Sequence, residues 1–183
     1  GDGVILLISG ATHTGKTALA QRILEACHIP YISLDLLKMG FIRSGCTTLT
    51  PEDDEALTAY MWPIVREMIK TAIENKQHLV IEGGYIPFDW KMYFDESYRQ
   101  DIYYCCLIMT ERYIQNHLDD ILQFASVIER RVDDSDCTKE RLIAENRHYL
   151  AMCLACGCPY FLIDSSYDVD IREVLLTMGC HLL

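Results

Sequence analysis

Residues 10–17 read Gly-Ala-Thr-His-Thr-Gly-Lys-Thr: a glycine, four residues of any kind, a second glycine, a lysine and a hydroxyl side chain. No other feature of the chain restricts the fold as much, because this spacing works only between the end of a strand and the start of a helix. Gly10 and Gly15 remove side chains where backbone must approach oxygen atoms closely. Successive backbone N–H groups then converge as an anion nest. Lys16 brings a positive charge to β- and γ-phosphates, and Thr17 offers a hydroxyl to Mg²⁺. The flanks agree. Residues 4–8 (Val-Ile-Leu-Leu-Ile) are an unbroken apolar run, as in a parallel strand buried on both faces. Residues 17–25 carry Leu19, Ile23 and Leu24 at helical spacing, and the N-terminus of that helix adds partial positive charge at the phosphates. The pattern therefore assigns Gly10, Ala11, Thr12, His13, Thr14, Gly15, Lys16 and Thr17 to a nucleoside triphosphate, taken as ATP, with Mg²⁺.

With 183 residues, half of them hydrophobic, residues 1–183 read as one domain with a sizeable core. No apolar run approaches a membrane-spanning length. The first apolar run leads straight into the glycine loop, so it reads as a core strand and not a signal peptide. A net charge of −11 argues against nucleic acid and anionic membranes as partners. Nine cysteines without a secretory signal fit reduced thiols in a cytoplasmic protein. Cys153, Cys156 and Cys158 cluster, but no second pair stands at zinc-site spacing, so buried or half-buried thiols are the expectation.

Strand-like runs alternate with helical patterns along the whole chain. The expected strands cover residues 4–8, 30–34, 78–82, 102–108 and 160–163. Residues 36–39 form a helical turn or short helix, and 40–49 a loop. Thr50-Pro51-Glu52-Asp53 opens a helix, with Thr50 as cap and acids matched to the dipole. That helix runs to about Asn75 and should kink at Pro63. A short helix is expected within 87–100. Thr110 caps a helix bearing Ile114, Leu118, Ile121 and Leu122, and two more helices flank the last strand. Five strands alternating with helices imply an α/β, three-layer arrangement: a parallel sheet covered on both faces, with ligands at the carboxyl ends of the strands.

That rule singles out the residues that follow each strand. Asp35 is placed to orient or deprotonate an acceptor hydroxyl, or to cap the helix beginning at Leu36. Glu82 stands where a carboxylate would hold Mg²⁺, or is a polar strand end. Gly83 and Gly84 leave room for a ligand near the backbone, and Tyr85 either touches substrate or packs in a loop. Lys38 and Arg43 would bind an anionic group of the acceptor, or stand as solvated charges. Arg130 and Arg131 would close over the phosphates, or pair with Glu129, Asp133 and Asp134.

The P-loop at residues 10–17, Asp35 after the second strand, Glu82-Gly83-Gly84 after the third and the pair Arg130-Arg131 together resemble the small P-loop kinases of the adenylate kinase, shikimate kinase and zeta-toxin-like superfamily. The resemblance covers nearly the whole chain in element order, and its specific motif is the P-loop. It implies a P-loop NTPase fold with strand order 2-3-1-4-5, a helical substrate-binding insert at about 36–76 and a short lid at about 124–138. It further implies a nucleotide base near residues 164–168, and a substrate-binding or base role for the carboxylate after strand two. The Asp-Gly-Phe-Pro-Arg run of adenylate kinases is absent, and Glu82-Gly83-Gly84-Tyr85 stands in its place, which argues against a nucleoside monophosphate acceptor.

The reading is thus γ-phosphoryl transfer from ATP to a small-molecule hydroxyl by a monomer or homodimer. Two rivals stay open: a regulatory nucleotide-binding protein without an acceptor, and a growth-inhibiting sugar-nucleotide kinase. A switch GTPase would usually carry an Asn-Lys-x-Asp guanine motif, and the chain has none.

Overall fold

The computed structural model describes residues 3–124 and 137–182. Its strands are β1 (Ile5–Gly10), β2 (Tyr31–Ser33), β3 (Leu79–Glu82), β4 (Ile102–Met109) and β5 (Tyr160–Ile163). The helices are α1 (Lys16–Cys27), α2 (Leu34–Arg43), α3 (Asp54–Glu74), α4 (Glu96–Arg99), α5 (Glu111–Phe124), α6 (Lys139–Cys156) and α7 (Ile171–Met178), with a 3₁₀ turn at Trp90–Tyr93. All pairings are parallel, and the strand order is 2-3-1-4-5, as the resemblance implied.

Alternation along β1 divides the core in two. Ile5 and Leu7 face one layer with Ile81, Tyr104, Cys106 and the α3 residues Leu57, Met61, Val65 and Ile69. Leu6 and Ile8 face the other with Leu19 and Ile23 of α1, Ile114 and Ile121 of α5, and Val174 and Leu175 of α7. Every residue of β1 is buried, which is why its sequence shows an apolar run rather than alternation. Each of these side chains contributes about 1.5–3 kcal/mol by leaving water.

Two local expectations are corrected. Asp35 does not cap a helix beginning at Leu36: Ser33 is the N-cap residue, Asp35 lies in the first turn of α2, and α2 runs through the expected loop to Arg43. Thr50 does not cap α3 either. Its N–H and hydroxyl both donate to the Asp53 carboxylate, at 2.8 and 3.1 Å, closing a turn that delays the helix to Asp54. As its spacing predicts, α3 runs through Pro63 as one 21-residue helix to Glu74. Ala59 and Pro63 are both exposed, so the carbonyl that proline leaves without a donor opens to solvent. The unexpected interruption is in α5, where His117 leaves helical geometry at φ −133°.

Cys153 and Cys158 are buried and Cys156 is exposed. Among the described residues, no helix is long and apolar enough to cross a membrane.

Candidate active site

The glycine loop joins β1 to α1 as its spacing requires. Gly15 sits at φ +85° immediately before the helix, and a Cβ there would meet the Tyr167 ring at 3.1 Å. Gly10 is equally committed: a Cβ would lie 2.8 Å from the Leu107 carbonyl. The loop's interior is held by the Ala11 carbonyl, which accepts from the Thr14 hydroxyl at 2.8 Å and from Lys16 Nζ at 2.7 Å. His13 is buried at φ +66°, with its Nδ1 2.8 Å from the Thr12 hydroxyl. No acid occupies the first turn of α1, so no side chain of that turn neutralises the positive end of its dipole.

Glu82 closes β3 directly beside the loop. Thr17 Oγ1 donates to Glu82 Oε1 at 2.8 Å, joining the two residues read from sequence as metal-holding. The other carboxylate oxygen is buried and has no hydrogen-bond partner among the described residues. Burial raises the Glu82 pKa, while the charge of Lys16 and the neighbouring Ser33 and Thr17 hydroxyls pull it down. A buried carboxylate with a spare oxygen, joined to a threonine hydroxyl, suits a hard divalent cation such as Mg²⁺.

Across the loop lies a polar cavity of about 370 Å³, with Gly10, Thr12 and Lys16 on one side and Asp35, Lys38 and Tyr85 on the other. Lys38 donates to the Tyr85 hydroxyl at 2.8 Å and lies 3.9 Å from Asp35. Tyr85 in turn donates a weak bond to Asp54 Oδ1 at 3.4 Å. Burial, and then the Asp35 and Asp54 carboxylates, push the Tyr85 pKa well above the ordinary tyrosine range, so the phenol stays a neutral donor.

The remaining sequence-read residues fall apart spatially. Gly84 lines the cavity but Gly83 does not. A Cβ on Gly83 would come within 2.6 Å of Leu34 Cβ, so its missing side chain admits α2 against β3. Arg43 is exposed at the far end of α2 and outside the cavity wall. Arg130, Arg131 and most of the expected lid lie outside the described residues.

Four cavity residues escaped the sequence reading: Met39, Asp54, Glu145 and Tyr149. Glu145 Oε1 accepts from the Thr12 N–H of the loop at 3.3 Å. Its helix is docked by Asn146, buried in mid-helix, which accepts from Met109 N–H at 2.8 Å and donates to the Leu142 carbonyl at 2.8 Å. An asparagine in mid-helix, where its side chain competes with the backbone, was the one available hint that α6 is anchored to the strand end.

Beneath the loop, on the opposite side of the sheet, a second cavity of about 640 Å³ lies between α1, α5 and the segment after β5. Tyr113, His117, Phe124 and Tyr167 supply its aromatic wall. Tyr113 stacks on His117 at 4.7 Å, and Phe124 on Tyr167 at 5.5 Å. The segment is tied down at both ends. Arg22 pairs with Asp168 and donates to the Val169 carbonyl at 2.6 Å, and Asp164 accepts from Thr110 at 2.7 Å and pairs with Arg112.

A parallel 2-3-1-4-5 sheet, a glycine loop after β1 and a carboxylate ending β3 define a P-loop nucleotide-binding fold. Solved structures narrow the class. The chain superposes on a protein of Chloroflexus aurantiacus J-10-fl with TM-score 0.58 at 16% identity, covering 96% of both chains. It matches deoxyadenosine kinase from M. mycoides (TM-score 0.53, 11% identity, 96% of this chain and 97% of that one). Shikimate kinase from Bacteroides thetaiotaomicron also matches, with TM-score 0.50, 14% identity and coverage of 96% and 94%. The chain therefore has the small P-loop kinase fold. No family model matches its sequence, and no curated relative does so either.

Proposed function

We propose that the protein is an ATP-dependent kinase that phosphorylates a hydroxyl group of a small molecule. The observation that carries this reading is the single cavity in which the phosphate loop, with Lys16, faces Asp35. A binding protein without an acceptor has no use for a carboxylate-lined chamber opening onto its lysine. Kinase neighbours of the same fold support the reaction type.

In this reading the loop amides and Lys16 bind the β- and γ-phosphates and hold the charge that builds during transfer. Thr17 and Glu82 would hold Mg²⁺, which supplies further neutralisation of phosphate charge. The nucleotide base takes the aromatic cavity between α1, α5 and residues 165–169. Asp35 orients the acceptor hydroxyl and accepts its proton. Lys38 and Tyr85 shape the acceptor site, and Arg130 or Arg131 acts from the lid.

The test is ADP release from Mg·ATP with a panel of sugars, nucleosides, hydroxy acids and amino alcohols, with Lys16→Ala as the blank. Stimulation by one acceptor, absent in Lys16→Ala, is the expected result. ATP binding with no stimulation by any acceptor overturns the kinase reading in favour of a regulatory nucleotide-binding protein.

A further inference from the structure

The polar acceptor cavity does not end at Tyr85. It opens into a groove of about 980 Å³ between α3 and α6, and both cavities share Asp54, Gly84, Glu145 and Tyr149 at their junction. The groove is walled by Trp62, Ile86, Pro87, Phe88, Tyr93 and Tyr149. Its aromatic rings brace one another: Trp62 meets Tyr93 edge-on at 5.8 Å, and Phe88 meets Tyr149 edge-on at 5.3 Å. A small sugar acid would occupy the polar chamber and leave this surface bare, whereas chamber and groove together suit a larger ligand with an apolar part.

The charges at the junction are of one sign. Asp54 and Glu145 both stand there, and both bear on the Tyr149 phenol, whose pKa is raised first by burial and then by these carboxylates among its neighbours. Among the described residues, the cations nearby are committed elsewhere. Lys16 donates to the Ala11 carbonyl of the glycine loop, and Lys38 is held by Tyr85 and Asp35. Arg141 and His148 line only the groove, and Arg141 is itself engaged. An anionic acceptor would meet two carboxylates here in addition to the charge of ATP. A cationic one would satisfy them.

Resting on the kinase reading above, we propose that the phosphoryl acceptor is an amine-bearing alcohol with an aromatic or apolar body. Its hydroxyl enters beside Asp35, its ammonium lies between Asp54 and Glu145, and its body fills the groove. The bond from the γ-phosphorus to the β,γ-bridging oxygen breaks and a bond from that phosphorus to the acceptor oxygen forms. Asp35 takes the hydroxyl proton, and the products are ADP and a phosphate monoester.

The test uses the full chain with Mg·ATP and probes that share one body. These are phenylalaninol, its N-acetyl derivative, and 3-phenyllactate, with serinol as the amine lacking a body and shikimate as a compact acid. ADP release and phosphate-ester formation are measured for each. Phenylalaninol is expected to exceed N-acetylphenylalaninol and 3-phenyllactate by about tenfold or more in kcat/KM, two partly exposed charge contacts at about threefold each. It should also exceed serinol. Asp54→Asn and Glu145→Gln should each shrink the phenylalaninol to N-acetylphenylalaninol ratio about threefold. Turnover favouring 3-phenyllactate or shikimate overturns the acceptor class while upholding the kinase. So does a preference ratio that neither variant changes. Lys16-dependent ATP binding beside a panel with no stimulation also overturns the acceptor class. Failure to bind Mg·ATP at all overturns the kinase reading itself.

Discussion

The two faces of the sheet were written in different ways. On the face of α1, α5 and α7, the nucleotide half is a continuous stretch: strand, loop and helix follow one another within residues 5–27. Its partners, Tyr167 and Asp168, are clamped onto that stretch by Gly15 and Arg22. On the face of α2, α3 and α6, the proposed acceptor half is assembled from four distant places: Asp35 and Lys38 of α2, Asp54 of α3, Gly84-Tyr85 after β3, and Glu145 and Tyr149 of α6. A phosphate is the same ligand in every such loop, so backbone geometry suffices to bind it. An acceptor is recognised by side chains at the mouths of several strands, and those vary without disturbing the sheet.

Substitutions divide along the same line. Lys16→Ala acts at the seam and should have the largest effect. Phosphoryl transfer should fall about 10³-fold, with the far-UV circular dichroism and melting temperature nearly unchanged. Wild-type turnover in this variant would break the assignment of the loop. Asp35→Asn belongs to the acceptor half. It should lower kcat about 100-fold while leaving the ATP Kd within about twofold of wild type. If ATP binding falls instead, Asp35 serves the nucleotide and the division between halves is misplaced. Tyr85→Phe removes the hydroxyl between Lys38 and Asp54. It should raise the acceptor KM about fivefold by the loss of one hydrogen bond to a charged group, with the KM for ATP constant.

The smallest effect concerns stability at the buried Glu82 carboxylate, the proposed metal ligand. Burial raises the folded-state pKa of Glu82 above its unfolded value. Its contribution to stability is therefore full below the ordinary glutamate pKa and is lost as pH rises through the raised value. Glu82→Gln should accordingly raise the melting temperature of the ligand-free protein at neutral pH by about 3 °C, with the difference vanishing in acid. The same substitution should abolish any stabilisation by Mg²⁺ with nucleotide. A lower melting temperature at neutral pH would mean that the Thr17–Glu82 contact outweighs the burial of the charge.

Much of the architecture was legible in order. The five strand-like runs became the five strands within two residues at each end, and the central one, β1, is apolar throughout because it is buried on both faces. Thr110 caps α5 as its position suggested, its hydroxyl accepting from Tyr113 N–H at 3.1 Å. The helix starts around the acceptor half were less legible. Ser33 replaced Asp35 as N-cap, and Asp53 turned back on Thr50. In both places two or three adjacent residues are competent caps, and packing of Leu34 against Gly83 decides the first. Asp54, Glu145 and Tyr149 carry no local signal at all, since each is an ordinary helix residue until its neighbours across the cleft are known.

What the chain determined by itself was the glycine loop, the placement of Thr17 and Glu82 at its side, and the alternation of strands and helices. These depend on short-range spacing, backbone geometry and burial on both faces of one sheet. Which carboxylates meet at the acceptor chamber, and that an aromatic groove continues from it, was decided only in three dimensions. The crossings of α3 and α6 bring together residues about ninety positions apart, and no local propensity encodes that meeting.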